Sequence, residues 1–201
     1  VFVCVRWRLT CWTAVAGLWL VAAVPAFADT YELDPASAIT YHVVHPMHAV
    51  EGVNRAVTGA SIAFDVTRPA DVTGILKRPI FAWWEEFDSG NANRDANALV
   101  HVEADRYPRV VFVPQRFADV SVTGGTAHGT VIGALYVKGQ RRLVSAPIRV
   151  RPRAGGAVLD VWGSFETAFS EFEIERPSLL MVKTRDPIRV EFHLIYRRTP
   201  P

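Results

Sequence analysis

Residues 188–196 read IRVEFHLIY. Ile188, Val190, Phe192, Leu194 and Tyr196 occupy alternate positions, with Arg189, Glu191 and His193 between them. A strand turns successive side chains to opposite faces, so this spacing predicts one buried apolar face and one wetted face. One-sided strands of this kind belong to antiparallel sheets, because strands of parallel sheets are apolar on both faces.

The same period recurs upstream. Ile39, Tyr41 and Val43 form one set, Ile62, Phe64 and Val66 another, and Val144, Ala146, Ile148 and Val150 a third. Pro147 removes a ladder donor from the last run and predicts an edge or a bulge there. Gly124-Gly125 and Gly155-Gly156 separate alternating runs and read as hairpin turns. Gly133 and Gly163 lie inside strand patterns, where a sheet bends sharply or another backbone comes close. About eight strands follow at regular spacing. Sequential hairpins without long helices predict an all-β sandwich or closed barrel. One or two short helices are expected. Asp95–Asp105 fits one, with Asp95 as N-cap and Pro108 beyond its end. Ser170 to Glu173 has capping-box spacing, and the turn it would start stops by Pro177. No repeat or linker divides 29–201, so one domain is expected.

The first residues read differently. Arg6 and Arg8 precede the uncharged LTCWTAVAGLWLVAAV (9–24), and Ala26-Phe27-Ala28 follows. A basic segment, a short apolar run and a small-x-small site predict a signal peptide over 1–28, cut after Ala28. The expected location is therefore the periplasm, with no stable membrane insertion after cleavage, since the run is short for a span. Cleavage removes both cysteines, Cys4 and Cys11, and with them any disulfide or thiol chemistry. It also lowers Lys+Arg from 22 to 20 against 20 Asp+Glu. A chain so balanced gives no electrostatic reason to bind nucleic acid.

Several chemistries lack their motifs: there is no GxSxG, P-loop or HExxH, and no catalytic residue or cofactor is assigned. His42, His45 and His48 with Glu51 are the nearest approach to a metal set. A strand puts His42 and His45 on opposite faces, and Pro46 breaks a helix, so no metal is assigned either. Trp83-Trp84 should place one indole inside and one outside. Lys138, Arg141 and Arg142 around Gly139 read as a solvated hairpin tip. SGNANRD (89–95) is loop-like, and its Arg94-Asp95 pair suits charge-assisted hydrogen bonds that hold a loop.

Taken in order, these segments resemble the lipid/polyisoprenoid-binding YceI-like family. YELDP (31–35) followed by ITYHVVHP (39–46) is similar to the family's opening, and Gly52 and GASIAFD (59–65) to its second segment. SGNANRD followed by YPRVVF (107–112) is the most specific match, GALYVKG (133–139) is similar to an internal strand, and FEIERPSLL (172–180) to a closing segment. Asn97 stands where many members carry His, and the spacing from Arg94-Asp95 to Tyr107-Pro108 is shorter than in the commonest form.

The resemblance implies a lipocalin-like extended antiparallel β-barrel whose apolar tunnel holds an isoprenoid or other long-chain amphiphile. It leaves a homodimer open. Strand parity assigns the lining to Tyr41, Val43, Ile62, Phe64, Phe112, Leu135, Ile148, Phe165, Phe192 and Leu194. His45, His48, Arg94 and Asp95 are candidates for a head group or for anchoring loops. Two rivals remain: a metal-binding protein or metal-assisted hydrolase using the three histidines, and a ligand-free secreted barrel acting through its surface.

Overall fold

A computed structural model of the chain describes residues 28–179 and 181–200. The expected signal peptide, apart from Ala28, lies outside the described residues. The strands are β1 (Asp29–Leu33), β2 (Ala38–His45), β3 (His48–Asn54), β4 (Thr58–Gly59), β5 (Ile62–Phe64), β6 (Ile80–Trp83) and β7 (Phe87–Asp88). Helix α1 (Ala92–His101) follows, then β8 (Arg109–Thr123), β9 (Thr126–Val137), β10 (Gln140–Arg153), β11 (Val158–Ala168), β12 (Ser178–Leu179), β13 (Val182–Lys183) and β14 (Pro187–Arg198).

Twelve of these segments form one antiparallel sheet, and β12 and β13 form a separate two-stranded ribbon. From β8 the pairing runs through β9, β10 and β11 to β14, which pairs along one edge with both β1 and β2. Beyond them β2 pairs β3, β3 pairs β7, β4 pairs β6, and β6 returns to β8. The sheet therefore curls around an interior. It is all-β apart from α1 and short helical turns, but its segments number twelve, not eight. The excess comes from interruptions. β1 and β2 form one run broken at 34–37, β3, β4 and β5 another, and β6 and β7 a third. Tyr31 faces Ile62 and Ile39 faces Asn54, the register that one unbroken hairpin would give.

Polar side chains bridge the breaks. Where the chain leaves β14 at 34–37, the Ser37 hydroxyl takes the Ile195 N–H at 2.9 Å and donates to the Ile195 carbonyl at 3.3 Å. Asp34 N–H donates to that same carbonyl at 2.7 Å. Asn54 is fully buried. Its Nδ2 donates to Trp83 O at 2.8 Å and its Oδ1 accepts from Ala56 N–H at 2.9 Å, which ties β3 to β6 across a gap in the ladder. Buried polar groups must be paired, and these two replace missing backbone partners.

Both Gly-Gly pairs turn hairpins, with positive φ at all four glycines. Pro147 stays within the β9–β10 ladder, one residue beyond the last β10–β11 pair, rather than on a sheet edge. Helix α1 begins three residues before the expected Asp95. Asn91 is its N-cap and accepts the Arg94 N–H at 3.0 Å. Asn caps as well as Asp does, which frees the Asp95 carboxylate in the first turn for another role. The second helical turn spans Phe169–Phe172, not 170–173, and Glu173 ends it with a left-handed φ of 54°. Lys138 is not a solvated tip: it pairs with Glu103 at 2.9 Å and donates to Glu173 O at 3.0 Å, joining the end of α1 to that turn.

On β14 the alternation holds. Arg189 pairs outside with Glu191 at 2.6 Å, and His193 Nε2 lies 3.0 Å from Asp160 Oδ1. The inward residues join two apolar clusters. One gathers Val43, Val102, Leu135, Val137, Val144, Phe169, Phe172 and Ile174. The other gathers Tyr31, Val57, Ile62, Phe64, Leu159, Leu194 and Tyr196.

Candidate ligand-binding cavity

A cavity of about 310 Å³ lies inside the curled sheet, walled by members of both clusters. All ten side chains assigned by parity border it: Tyr41, Val43, Ile62, Phe64, Phe112, Leu135, Ile148, Phe165, Phe192 and Leu194. They come from β2, β5, β8, β9, β10, β11 and β14, so the apolar faces of strands from right around the sheet converge on one space.

Three glycines shape the wall. A Cβ at Gly52 would lie 2.4 Å from the Tyr41 ring, at Gly133 2.5 Å from the Phe112 ring, and at Gly163 2.4 Å from the Phe192 ring. Each glycine thus receives an aromatic ring from the neighbouring strand, and each ring lies along the wall. The close approach of another backbone expected at Gly133 and Gly163 is present, with Val113 O 2.6 Å and Pro147 O 2.8 Å from the same Cβ positions.

Sequence parity did not find the residues that cover one end. Leu99 and Val102 reach the cavity from α1 and its C-terminal cap, and Phe169, Phe172 and Ile174 from the turn before the β12–β13 ribbon. Leu99/Val102 and Phe169/Phe172 are spaced by three, the helical signature of a common face. Trp84 and Phe87 flank a helical turn between β6 and β7, with ring centroids 5.5 Å apart, and Phe87 lies 5.5 Å from Tyr41. Trp84 lines the cavity and Trp83 does not. Phe117 also lines it, beyond a β-bulge in β8 that shifts the parity.

The polar candidates part company. Arg94 and Asp95 both border the cavity, and both hold Ser89. Arg94 Nε donates to Ser89 Oγ at 2.8 Å, and Asp95 accepts the Ser89 N–H at 3.2 Å and its hydroxyl hydrogen. Burial first, with the Asp95 carboxylate adding to it and Arg94 opposing, pushes the Tyr41 hydroxyl above its ordinary pKa. Burial does the same to Tyr196. Both phenols in the wall therefore stay neutral.

His42, His45 and His48 stay apart from the cavity, which only His101 borders among the described histidines. His42 faces outward, 3.6 Å from Glu51 and from Glu191. His45 is buried as a loop anchor: its Nε2 donates to Val182 O at 2.9 Å and its Nδ1 accepts the Met47 N–H at 3.2 Å. His48 is exposed. Neither His45 nor His48 borders this cavity. Among the described residues, no three His, Cys, Asp or Glu side chains converge to hold a metal ion. The turn after His45 brings the His45 and His48 rings to 5.1 Å, while strand alternation keeps His42 on the other face.

A sequence profile described as the YceI-like domain matches residues 31–196. Similar solved structures include Burkholderia cenocepacia BcnA, at 21% identity and TM-score 0.66, covering 82% of this chain and 99% of that one. A polyisoprenoid binding domain from Saccharophagus degradans, implicated in plant cell wall breakdown, aligns at 15% identity and TM-score 0.68 over 84% of this chain and 98% of that one. A Campylobacter jejuni YCEI protein aligns at 16% identity and TM-score 0.53 over 72% and 82%. At such identities the likeness is one of fold. No curated protein sequence matches the chain.

Proposed function

The chain belongs to the YceI-like domain family, and from that premise we propose that it is an exported periplasmic protein that holds an isoprenoid or quinone-like amphiphile inside a lipocalin-like barrel. The cavity carries this reading. Its wall is almost wholly apolar, it draws on strands from right around the sheet, and at about 310 Å³ it falls within the range of small-molecule sites. A prenyl tail entering it would gain about 0.8 kcal/mol per buried CH₂, so binding needs no charged anchor. The Saccharophagus domain's description as polyisoprenoid-binding supports the ligand class. The Arg6/Arg8 segment, the apolar run and Ala26-Phe27-Ala28 support export. The reading is one of binding and not turnover, with Arg94 and Asp95 holding a loop at the cavity edge.

Native mass spectrometry of gently purified protein, with organic extraction of whatever accompanies it, tests the proposal. A stoichiometric prenyl lipid or quinone is expected. A protein that carries none and also refuses added isoprenoids would overturn it.

A further inference from the structure

Two polar atoms in the cavity wall have no partner. Trp84 Nε1 and Thr184 Oγ1 are both shielded from solvent, and neither makes a hydrogen bond among the described residues. Both side chains border the cavity. Thr184 is 7% exposed. Neither residue is loosely placed. Trp84 N–H donates to Pro108 O at 3.0 Å, and its ring packs on Phe87 and on the cluster beneath α1. Thr184 N–H donates to Pro177 O at 2.9 Å, and the next residue, Arg185, donates to Val44 O at 2.8 Å.

Folded proteins pair nearly all buried polar atoms, so two orphans in one apolar wall point to a guest that completes them. An indole N–H can only donate, and a threonine hydroxyl can donate as well as accept. The matching atom is an acceptor oxygen. Its charge follows from the ionisable neighbours. Arg94 and Asp95 are opposite in sign and committed to Ser89, and Lys138, at the same end, is committed to Glu103 and Glu173. Among the described residues Arg94 is the only lysine or arginine bordering the cavity, and His101 is the one further basic side chain there; without a free ammonium or guanidinium, a dry apolar site expels an anionic head group.

We propose that the cavity selects amphiphiles carrying an uncharged oxygen acceptor (a carbonyl, hydroxyl or ether) which Trp84 Nε1 and Thr184 Oγ1 bind, over the corresponding diphosphates. This rests on the carrier reading of the same cavity. The test is competition, against a fluorescent prenyl probe, by three ligands built on one geranylgeranyl chain: the hydrocarbon, the alcohol and the diphosphate. The alcohol should bind roughly tenfold tighter than the other two. Trp84→Phe and Thr184→Val should each weaken the alcohol roughly fivefold to tenfold relative to the hydrocarbon, whose binding reports any change in the shape of the wall, as expected for the loss of one neutral hydrogen bond. Thr184→Val changes one wall atom and keeps the proposal falsifiable should the tryptophan variant fold poorly. Equal binding of hydrocarbon and alcohol, tightest binding of the diphosphate, or an alcohol affinity unmoved by either substitution would overturn the anchor and leave the carrier standing. Failure of the probe and all three ligands to bind would overturn both.

Discussion

Gly163→Ala tests the wall where packing and binding meet. The new Cβ would stand 2.4 Å from Phe192 Cζ and 2.8 Å from Pro147 O. Side chain and backbone must yield differently. The Phe192 ring borders the cavity and can swing into it. The Pro147 carbonyl cannot retreat so easily, because Pro147 is paired with Thr130 of β9 and its neighbour Ile148 with Gly163 itself. Overpacking of this kind costs about 1–3 kcal/mol, or roughly 2–12 °C of melting temperature for a domain of this size. A ring pushed into the cavity should also reduce uptake of a prenyl probe. Circular-dichroism melting with probe binding on the same samples reads both effects. Adding Phe192→Leu should recover part of the stability, since it removes the ring contact and leaves the Pro147 contact. A Gly163→Ala protein with unchanged melting and unchanged uptake would refute the reasoning, because the ring could not then lie where the cavity's shape requires it.

Other outcomes follow from particular residues. Ile148→Trp, which enlarges a side chain of the cavity wall, should lower probe affinity at least tenfold while secondary structure is kept; unchanged affinity would mean the ligand binds elsewhere. Ser37→Ala strips Ile195 N–H of its partner and should cost about 1–3 kcal/mol in urea denaturation, with a loss below ~0.5 kcal/mol counting against the bridge. Asp65 accepts from the Thr67 hydroxyl, Arg68 Nε and Thr67 N–H, which hold its pKa down at about 2. Its folded pKa lies below the unfolded value of about 4, so its contribution is present above about pH 4 and is lost as pH falls through about 2. Asp65→Asn should therefore flatten the pH dependence of melting between about pH 4 and 2; an identical profile would argue against those bonds.

The lining was legible in the sequence because strand alternation is a local property. Whether Phe192 or His193 turns inward depends on position along one run, and Arg189, Glu191 and His193 mark the wet side. The same rule set His42 apart from His45. It failed where the chain departs from regular strand. Phe117 sits past a bulge, and Phe169 and Phe172 sit on a helical turn, where the period is no longer two. The helix start was misplaced for a related reason: Asn91 and Asp95 are both good caps, and only the position of Ser89 decides which carboxylate or amide is free to cap.

The amino-acid sequence by itself determined the class of fold, the inward set of each long strand and the turns between strands, since each of these is settled by neighbours within about ten residues. Tertiary structure decided what depends on strands distant in sequence. It placed Ser37 opposite Ile195 and Asn54 opposite Trp83, so that interrupted runs still curl around one interior. It turned Lys138 from a solvent-facing tip into a tie between α1 and the Phe169–Phe172 turn. It also left Trp84 Nε1 and Thr184 Oγ1 without partners among the described residues, in an apolar wall. A hydrogen bond made or missing is a fact about two groups brought together, and no local pattern records it.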